Sequence, residues 1–394
     1  MRMKFRFLQY VLLPGLLLGL MACSSNNSAV ATGTGVLYVT AQGNTTVSAF
    51  AVNLSSGALS AIGSSIGTGA VPSAIAITPA INALFVANSG SNSISSYTIN
   101  SDGSLTAISG TKATGTTPTG LAIDPAGKFL FVANQESSNI SVFSINGTGL
   151  TPVSGSPFTT VPAGFSYPNG TLPVAVTVSA SGKFLYVANQ LADFVSVFKV
   201  DPVSGALTAS GVPFYNAGTS PSGLAITPNG GFLYAANAGS NNISAFAICD
   251  AVVTSCTNVN SPDGTLTPVT GSPFPAGLGP VAIAIDPNFN FLYVVDKGSN
   301  TVSQYAFGSG SGVLTPFSPA TISTGATPVS IAIRSGATGT NVGNTTTNPT
   351  DYVYVANNGA GTVSTFTLAT TTGLLNVSGT PFTTAGQTSA VSAK

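Results

Sequence analysis

The segment GKFLYVANQ, residues 182–190, decides the fold, because close copies of its LYVAN core return along the whole chain. The copies begin at Leu37, Leu84, Leu130, Leu185, Leu233, Leu292 and Val353. Successive copies start 46 to 61 residues apart. A period of this size indicates a repeat protein rather than the two ordinary domains that 394 residues would allow.

Each repeat contains the pattern of four short strands. A P-x-x-[LIV]-[AT]-[IV] run precedes the LYVAN element in six copies, and apolar runs bounded by Pro and Gly are typical of strands buried on both faces. A third strand follows with strict alternation, Ser-x-aromatic-x-apolar. Its aromatic residues are Phe50, Tyr97, Phe143, Phe198, Phe246, Tyr305 and Phe366. A fourth strand begins at a leucine after a Gly-containing turn, and four strands per repeat predict the blade of a propeller.

We therefore expect an all-β fold over residues 35–394, a seven-bladed β-propeller of four-stranded antiparallel blades. The first copy lacks the P-x-x-[LIV]-[AT]-[IV] strand, and residues 388–394 are too few for a blade. This C-terminal strand is predicted to pair beside the first copy and close the ring, since an open stack would leave a sheet edge exposed.

The N-terminus predicts a leader and an anchor. Arg2, Lys4 and Arg6 precede a 14-residue apolar run that is shorter than the ~20 residues needed to span a bilayer, so residues 1–22 are interpreted as a signal peptide. Leu20-Met21-Ala22-Cys23 resembles the bacterial lipobox, in which the cysteine is lipidated. An ordinary secretory leader with an unrelated cysteine is the alternative. With lipidation, residues 23–34 form a tether and the protein is held on the cell envelope, at the outer membrane, because Ser24 follows the cysteine.

Composition excludes several classes of function. Only 5% of residues are charged, and loss of the leader leaves 7 basic against 10 acidic residues, which argues against a nucleic-acid partner. The chain has no His, and beyond Cys23 its only cysteines are Cys249 and Cys256, for which we predict a local disulfide. We therefore expect no metal and no cofactor. We also expect a monomer that contacts the membrane only through its lipid.

At this point the repeat resembles a known family. The pattern P-x-G-x-x-[IV]-x-x-[DS]-x-x-G-K-x-L-Y-V-A-N, followed by V-S-x-F, is similar to the YVTN and lactonase-type seven-bladed propellers, which include phosphogluconolactonase relatives. The resemblance implies a central cleft in which His, Arg and Glu side chains act on a lactone. Without His, and with Arg334 and Glu136 as the only Arg and Glu after the leader, this chain does not carry that site residue by residue.

Candidate site residues come from the loops expected on the ligand side of a propeller, after the second and fourth strands. The LYVAN ends place Asn134, Asn189 and Asn237 there, either as a ring of amides for a polar ligand or as side chains bonded within their own turns. Residues that break the repeat on this side are Glu136, Asp193, Asp296 and Lys297, with Phe165 and Tyr167 from a longer loop. For lactone hydrolysis, Glu136 or Asp296 would be the base and Lys297 the oxyanion donor. As solvated loop charges they would need no function.

Two functions remain open on the sequence. The first, which we favour here, is a non-catalytic binding module for an unknown protein or small polar ligand. The second is an envelope lactonase that uses these carboxylates and Lys297. Carbohydrate binding is a third possibility, although the chain has no Trp as a stacking platform.

Overall fold

The computed structural model describes residues 6–9, 19–22, 34–250, 263–334, 351–384 and 386–393. Over these residues the chain forms strands and no helix, and the predicted fold is confirmed: seven antiparallel sheets form the blades of a propeller. In each blade the LYVAN element is the second strand from the axis. Its ladder register with the third strand, for example Leu185 opposite Phe198, aligns the two apolar patterns predicted from the sequence.

The strands of blades 1 to 7 are bounded as follows. The inner strands are Thr388–Ala393, Pro72–Ile77, Pro118–Ile123, Pro173–Val178, Pro221–Ile226, Pro280–Ile285 and Pro328–Arg334. The second strands are Thr34–Ala41, Ala83–Asn88, Phe129–Asn134, Phe184–Asn189, Phe232–Asn237, Phe291–Asp296 and Asp351–Asn357. The third strands are Thr46–Asn53, Ser93–Ile99, Asn139–Asn146, Phe194–Val200, Asn242–Ile248, Thr301–Phe307 and Thr362–Leu368.

The outer strand is continuous in three blades and split in four. Blades 1, 4 and 6 have Leu59–Gly67, Leu207–Asn216 and Leu314–Ser323. In blades 2, 3, 5 and 7 two short strands take this place: Leu105–Ala107 with Lys112–Ala113, Gly149–Pro152 with Phe158–Thr159, Leu266–Pro268 with Phe274–Pro275, and Leu375–Val377 with Phe382–Thr383. Near the N-terminus, Arg6–Gln9 and Gly19–Ala22 pair with each other, and Leu20 pairs with Ala393.

The core lies between neighbouring blades. The seven third-strand aromatics are all buried, with exposed fractions of 1% to 8%, as the alternation predicted. Each contributes roughly 1.5 to 3 kcal/mol if fully buried, so the set is a large part of the driving force for packing the ring. The inner strands beginning at Pro72, Pro118, Pro173 and Pro280 are buried at every position.

The C-terminal strand closes the ring, as predicted. Thr388–Ala393 pairs antiparallel with Thr34–Ala41, so blade 1 is built from both ends of the propeller sequence. The Thr40 and Ser389 hydroxyls are hydrogen-bonded at 2.9 Å, and the Tyr354 hydroxyl of blade 7 donates to the Gly57 carbonyl of blade 1 at 3.1 Å. The ring therefore closes through strand pairing within blade 1 and through a tyrosine hydrogen bond from blade 7 to blade 1.

Two faces follow from the strand order. The upper face carries the turns between second and third strands and the connections from each outer strand to the next blade; the lower face carries the other turns. On the lower face, the LYVAN tyrosine donates to a glycine carbonyl in the next blade, as Tyr38 does to Gly103 at 2.9 Å and Tyr234 to Gly312 at 2.9 Å. The tyrosine therefore joins blades at its hydroxyl as well as through its ring.

The sequence insertions lie in loops. Residues 159–172 connect blade 3 to blade 4 on the upper face. Cys249 is disulfide-bonded, while Cys256 and Cys23 lie outside the described residues, as do residues 335–350 of the last insertion. Among the described residues, no helix is long and apolar enough to cross a membrane.

Candidate functional site

In five of the seven blades the last residue of the LYVAN element is a buried asparagine. The Asn134 Nδ2 donates to Asn139 Oδ1 at 2.8 Å and to Ser141 Oγ at 2.9 Å, both in its own blade. Asn88, Asn189, Asn237 and Asn357 make equivalent bonds to Ser95, Ser196, Ser244 and Ser364. All five side chains are fully buried. The amides therefore bond within their own blades, to side chains of the third strand.

A glycine covers four of these five amides, all except Asn189. Gly69 N–H donates to Asn88 Oδ1 at 3.1 Å, and a Cβ on Gly218 would lie 2.7 Å from Asn237 Nδ2. Only glycine leaves room for this approach, since real Cβ contacts are longer. The connection from the preceding blade is thereby packed on the end of the second strand.

Asp296 takes the same buried position in blade 6. Because a carboxylate has no N–H, the direction of the bonds reverses: Ser303 Oγ donates to Asp296 Oδ2 at 2.7 Å and Thr301 Oγ1 donates to it at 3.2 Å. Burial raises the pKa of Asp296 to about 6, and the two hydroxyl donors partly oppose this rise. Asp296 Oδ1 is buried without a hydrogen-bond partner, and the next residue, Lys297, is exposed.

Asp193 connects two blades. Its backbone lies in the left-handed region with φ of 58°, and its Oδ1 accepts a hydrogen bond from Ser220 N–H at 2.7 Å, directly before the inner strand of blade 5. Asn92, Asn241 and Asn300 make the same contact to Thr117, Gly279 and Thr327. Asp and Asn tolerate this backbone conformation and cap nearby N–H groups. We name this contact the Asx clasp; it explains Asp193 without a ligand.

Glu136 occupies a position that is glycine in five blades. The equivalent residues are Gly43, Gly90, Gly239, Gly298 and Gly359. In blade 6 a Cβ at this position would lie 2.9 Å from the Leu278 carbonyl oxygen, so glycine is required there. Blades 3 and 4 instead carry Glu136 and Leu191, both exposed. Glu136 makes no hydrogen bond or ion pair with any other described residue.

The side chains next to Glu136 tie blade 3 to blade 4. Gln135 Nε2 donates to Gln190 Oε1 at 3.0 Å. Ser138 fixes both ends of the long connection: its carbonyl accepts from Thr160 N–H at 3.0 Å and its hydroxyl accepts from Thr171 N–H at 3.0 Å. Residues 161–170 therefore form a loop whose two ends are both hydrogen-bonded to Ser138 of blade 3.

The long connection packs on aromatic residues of blade 4. Phe165 meets Phe214 edge to face with ring centroids 5.2 Å apart, and Tyr167 meets Phe194 at 5.6 Å. Phe194 and Phe214 are themselves 5.0 Å apart. Phe194 is buried, whereas Phe165 is 52% exposed.

We define the blade 3–4 surface as Gln135, Glu136, Phe165, Tyr167, Gln190 and Leu191. The structure brings Glu136, Phe165 and Tyr167 of the predicted site to these neighbouring blades, and places Asp296 and Lys297 on blade 6. No contact among the described residues joins Glu136 to either of them. Gln135, Gln190 and Leu191 were not predicted. The sequence does indicate them, because blades 3 and 4 have ANQE and ANQL where other blades have the pattern A-N-x-G.

Comparison with solved structures places the fold among known propellers. A candidate 6-phosphogluconolactonase of Bacteroides fragilis superposes with a TM-score of 0.75 at 19% identity, covering 93% of this chain and 100% of that one. The periplasmic gluconolactonase of Pseudomonas aeruginosa gives a TM-score of 0.72 at 20% identity, covering 91% of this chain and 98% of that one. At such identity the likeness shows the fold alone.

The sequence itself carries the family assignment. No curated protein matches the chain at a significant level. The model of the lactonase family of seven-bladed β-propellers matches residues 28–153 and 153–252, more than half of the chain. The chain therefore belongs to the lactonase family of seven-bladed β-propellers.

Proposed function

We propose that this protein hydrolyses a lactone at the blade 3–4 surface. The observation that carries the proposal is Glu136, an exposed and unpaired carboxylate on the upper face, at a position that is glycine in five blades. Family membership supports the lactonase alternative over the non-catalytic binding module favoured on the sequence.

Glu136 acts as the general base. Its carboxylate takes a proton from a water molecule, whose oxygen forms a bond to the lactone carbonyl carbon. The ring C–O bond then breaks, the ring oxygen takes the proton from Glu136 and leaves as a hydroxyl group, and the product is an open-chain hydroxy acid. An exposed carboxylate on a rigid blade end is positioned to do this without rearrangement of the fold.

Gln190 supplies the donor for the developing oxyanion. Its Oε1 accepts from Gln135, the residue before Glu136, so its Nε2 amide hydrogens remain for a ligand. Lys297, the donor predicted from the sequence, lies on blade 6 rather than beside Glu136. Asp296 is buried, so it presents no carboxylate oxygen to a substrate.

The test is turnover of D-glucono-1,5-lactone by the full chain, corrected for spontaneous hydrolysis. We expect Glu136→Gln to lower kcat by about 100-fold or more, in the range typical of a lost general base. Asp201→Asn removes the same charge from an exposed lower-face turn and should leave kcat unchanged. Equal activity of Glu136→Gln and the unaltered protein would reject Glu136 as the base.

We also propose that Cys23 carries a lipid that holds the protein on the cell envelope. The support is the Leu20-Met21-Ala22-Cys23 sequence after an apolar run. Metabolic labelling with a fatty acid should mark the protein, and Cys23→Ala should abolish the label. Labelling of the Cys23→Ala variant would contradict the proposal.

A further inference from the structure

The propeller begins at its lower face. The strand Thr34–Ala41 runs from the lower face to the upper face, because its far end joins the turn to the third strand. Within it, Leu37 is paired with Ala393, the lower end of the closing strand. Thr34 is three residues before Leu37, so it lies about 10 Å farther towards the lower face at roughly 3.3 Å per residue. The chain therefore enters blade 1 from below.

The strand on the other side of Cys23 ends at the same face. Gly19–Ala22 runs parallel to the closing strand, with Leu20 opposite Ala393. The closing strand runs from the upper face to the lower face, like every inner strand. Ala22 therefore lies beyond its lower end, and Cys23 follows directly. Cys23 is joined on both sides to residues at the lower face.

The start of the propeller is fixed by a side chain of blade 7. A Cβ on Gly35 would lie 1.8 Å from Arg334 Nε, so the Arg334 side chain lies directly across Gly35. Arg334 is the last residue of the inner strand of blade 7, at its lower end. On its other side, Thr34 is paired with Asn53 of the third strand. The tether of residues 23–34 therefore starts from a point that is held on two sides.

The tether is short compared with the height of the ring. Eleven residue steps separate Cys23 from Thr34, and a flexible chain of this length has a root-mean-square span of roughly 18 Å. The third strand of blade 4, Phe194–Val200, has seven residues and is about 24 Å long. To bring the upper face to a bilayer, the tether would have to pass around blade 1 and along this height, near its full extension of about 40 Å.

Charge gives the lower face no strong preference for or against a lipid surface. Among the described residues, its exposed or partly exposed charged side chains are three lysines and three aspartates: Lys128, Lys183, Lys199, Asp102, Asp201 and Asp263. Lys183 Nζ and Asp263 Oδ2 form an ion pair at 3.5 Å. Attraction to anionic headgroups needs an excess of basic residues. The orientation therefore depends on the tether and should persist on neutral lipids.

We infer that a lipid on Cys23 holds the lower face of the propeller against the bilayer and turns the upper face, with the blade 3–4 surface, towards the aqueous phase. The inference rests on the proposed lipidation of Cys23. It adds that a ligand of Glu136 comes from solution and not from the membrane that carries the protein.

The test uses tryptophan fluorescence, because the chain has no Trp. Val203→Trp places one in a lower-face turn of blade 4, and Leu191→Trp places one in an upper-face turn of the same blade; the native side chains are 88% and 50% exposed. Each full-length variant is coupled through the Cys23 thiol to a maleimide lipid in phosphatidylcholine vesicles with nitroxide-labelled headgroups. Cys249 does not compete, since it is disulfide-bonded.

We expect quenching of Val203→Trp to be at least about twofold stronger than that of Leu191→Trp, because the tether keeps the lower face near the headgroups. Equal quenching of the two variants, or stronger quenching of Leu191→Trp, would overturn the orientation.

Two controls establish that the tether is the cause. Insertion of about 40 Gly and Ser residues after Ser28 raises the root-mean-square span to roughly 40 Å and should remove most of the difference between the two variants. Cys23→Ala, added to the same vesicles, should give no quenching. An unchanged difference with the long tether, or quenching without Cys23, would contradict the inference.

The outcome is separate from that of the lipidation itself. Chemical coupling supplies the lipid whether or not cells attach one, so the fatty-acid labelling of Cys23 and the quenching experiment can fail independently. A Cys23→Ala protein that is still labelled in cells would reject the proposed anchor. Equal quenching of the two coupled Trp variants would reject the orientation.

Discussion

Blade 6 and the blade 3–4 surface both depart from the repeat, but in opposite ways. In blade 6 a single group changes inside the ring, where Asp296 takes the place of a buried asparagine and keeps its serine partner. In blades 3 and 4 the buried amides are unchanged, and the differences lie outside: Glu136, Leu191 and a longer loop. The comparison indicates that the interior change affects stability and its pH dependence, whereas the exterior changes place different side chains on the surface at little cost to the fold.

The largest effect should come from removing what both regions depend on, the closed ring. Deletion of residues 388–394 removes the inner strand of blade 1 and leaves Thr34–Ala41 as an unpaired edge. We expect loss of a cooperative thermal transition in circular dichroism. Ala390→Asp, which buries a charge in the same strand, should also lower the Tm strongly. A truncated protein with an unchanged melting curve would contradict closure through this strand.

Asp296→Asn tests the interior change through the pH dependence of the free energy of unfolding. Since burial raises the pKa of Asp296 to about 6, the folded protein holds this proton more tightly than the unfolded chain. The stabilisation from the neutral acid is complete below about pH 4 and is lost as the pH rises through about 6. Relative to the unaltered protein, the variant should therefore gain roughly 3 kcal/mol of unfolding free energy between pH 4 and pH 8.

Urea titrations at both pH values measure this gain. Leu191→Ala serves as the control on the same face, because it changes no titratable group, and its stability relative to the unaltered protein should not change between the two pH values. An Asp296→Asn variant with the pH dependence of the unaltered protein would show that Asp296 does not titrate in this range.

Gly218→Ala tests whether the glycine above a buried amide is required. Its Cβ would lie 2.7 Å from Asn237 Nδ2 and 2.7 Å from Asn242 Oδ1, both of which are fixed in the blade. We expect a loss of roughly 1 to 3 kcal/mol in urea unfolding, as for other overpacked sites. Gly211→Ala, where a Cβ would have no neighbour within 4 Å, should be near neutral. Equal stability of the two variants would contradict the close packing described.

The smallest effect should come from the exterior changes. Glu136→Gln and Leu191→Ala alter exposed side chains, so each should change the free energy of unfolding at pH 7 by no more than about 0.5 kcal/mol. Differential scanning calorimetry measures this. A loss comparable with that of Gly218→Ala would mean that these residues are structural, and would weaken their assignment to a site.

The repeat made the fold predictable because one pattern was observed seven times. The Ser-x-aromatic-x-apolar alternation around Phe50 or Phe198 identified the buried face of the third strand. The absence of a first strand in the first copy identified the C-terminal strand as the one that closes the ring. The site was less predictable, because its geometry depends on contacts between blades. Nothing in the local sequence shows that Asp193 serves an Asx clasp to Ser220, or that Gln135 and Gln190 pair across 55 positions.

The position of Asp296 shows the same limit. As a departure from asparagine it was a candidate base in the sequence, and only the packing of Gly277 above it reveals that it is enclosed. Glu136 was a candidate base by the same reasoning, and its side chain is exposed. A change of residue within a repeat therefore marks a special position, while burial decides whether that position is available to a substrate.

The Asx clasp has an evolutionary consequence. Because Asn92, Asp193, Asn241 and Asn300 each fix the residue that enters the following blade, the spacing of the blades does not depend on the content of the connection before it. Between blades 3 and 4, the Ser138 hydroxyl accepts instead from Thr171 N–H, one residue before the position contacted in the other blades, and ten residues lie between its two anchors. Such a segment can be exchanged for another without rebuilding the ring, so new specificities can arise in this lineage by grafting loops onto a fixed frame.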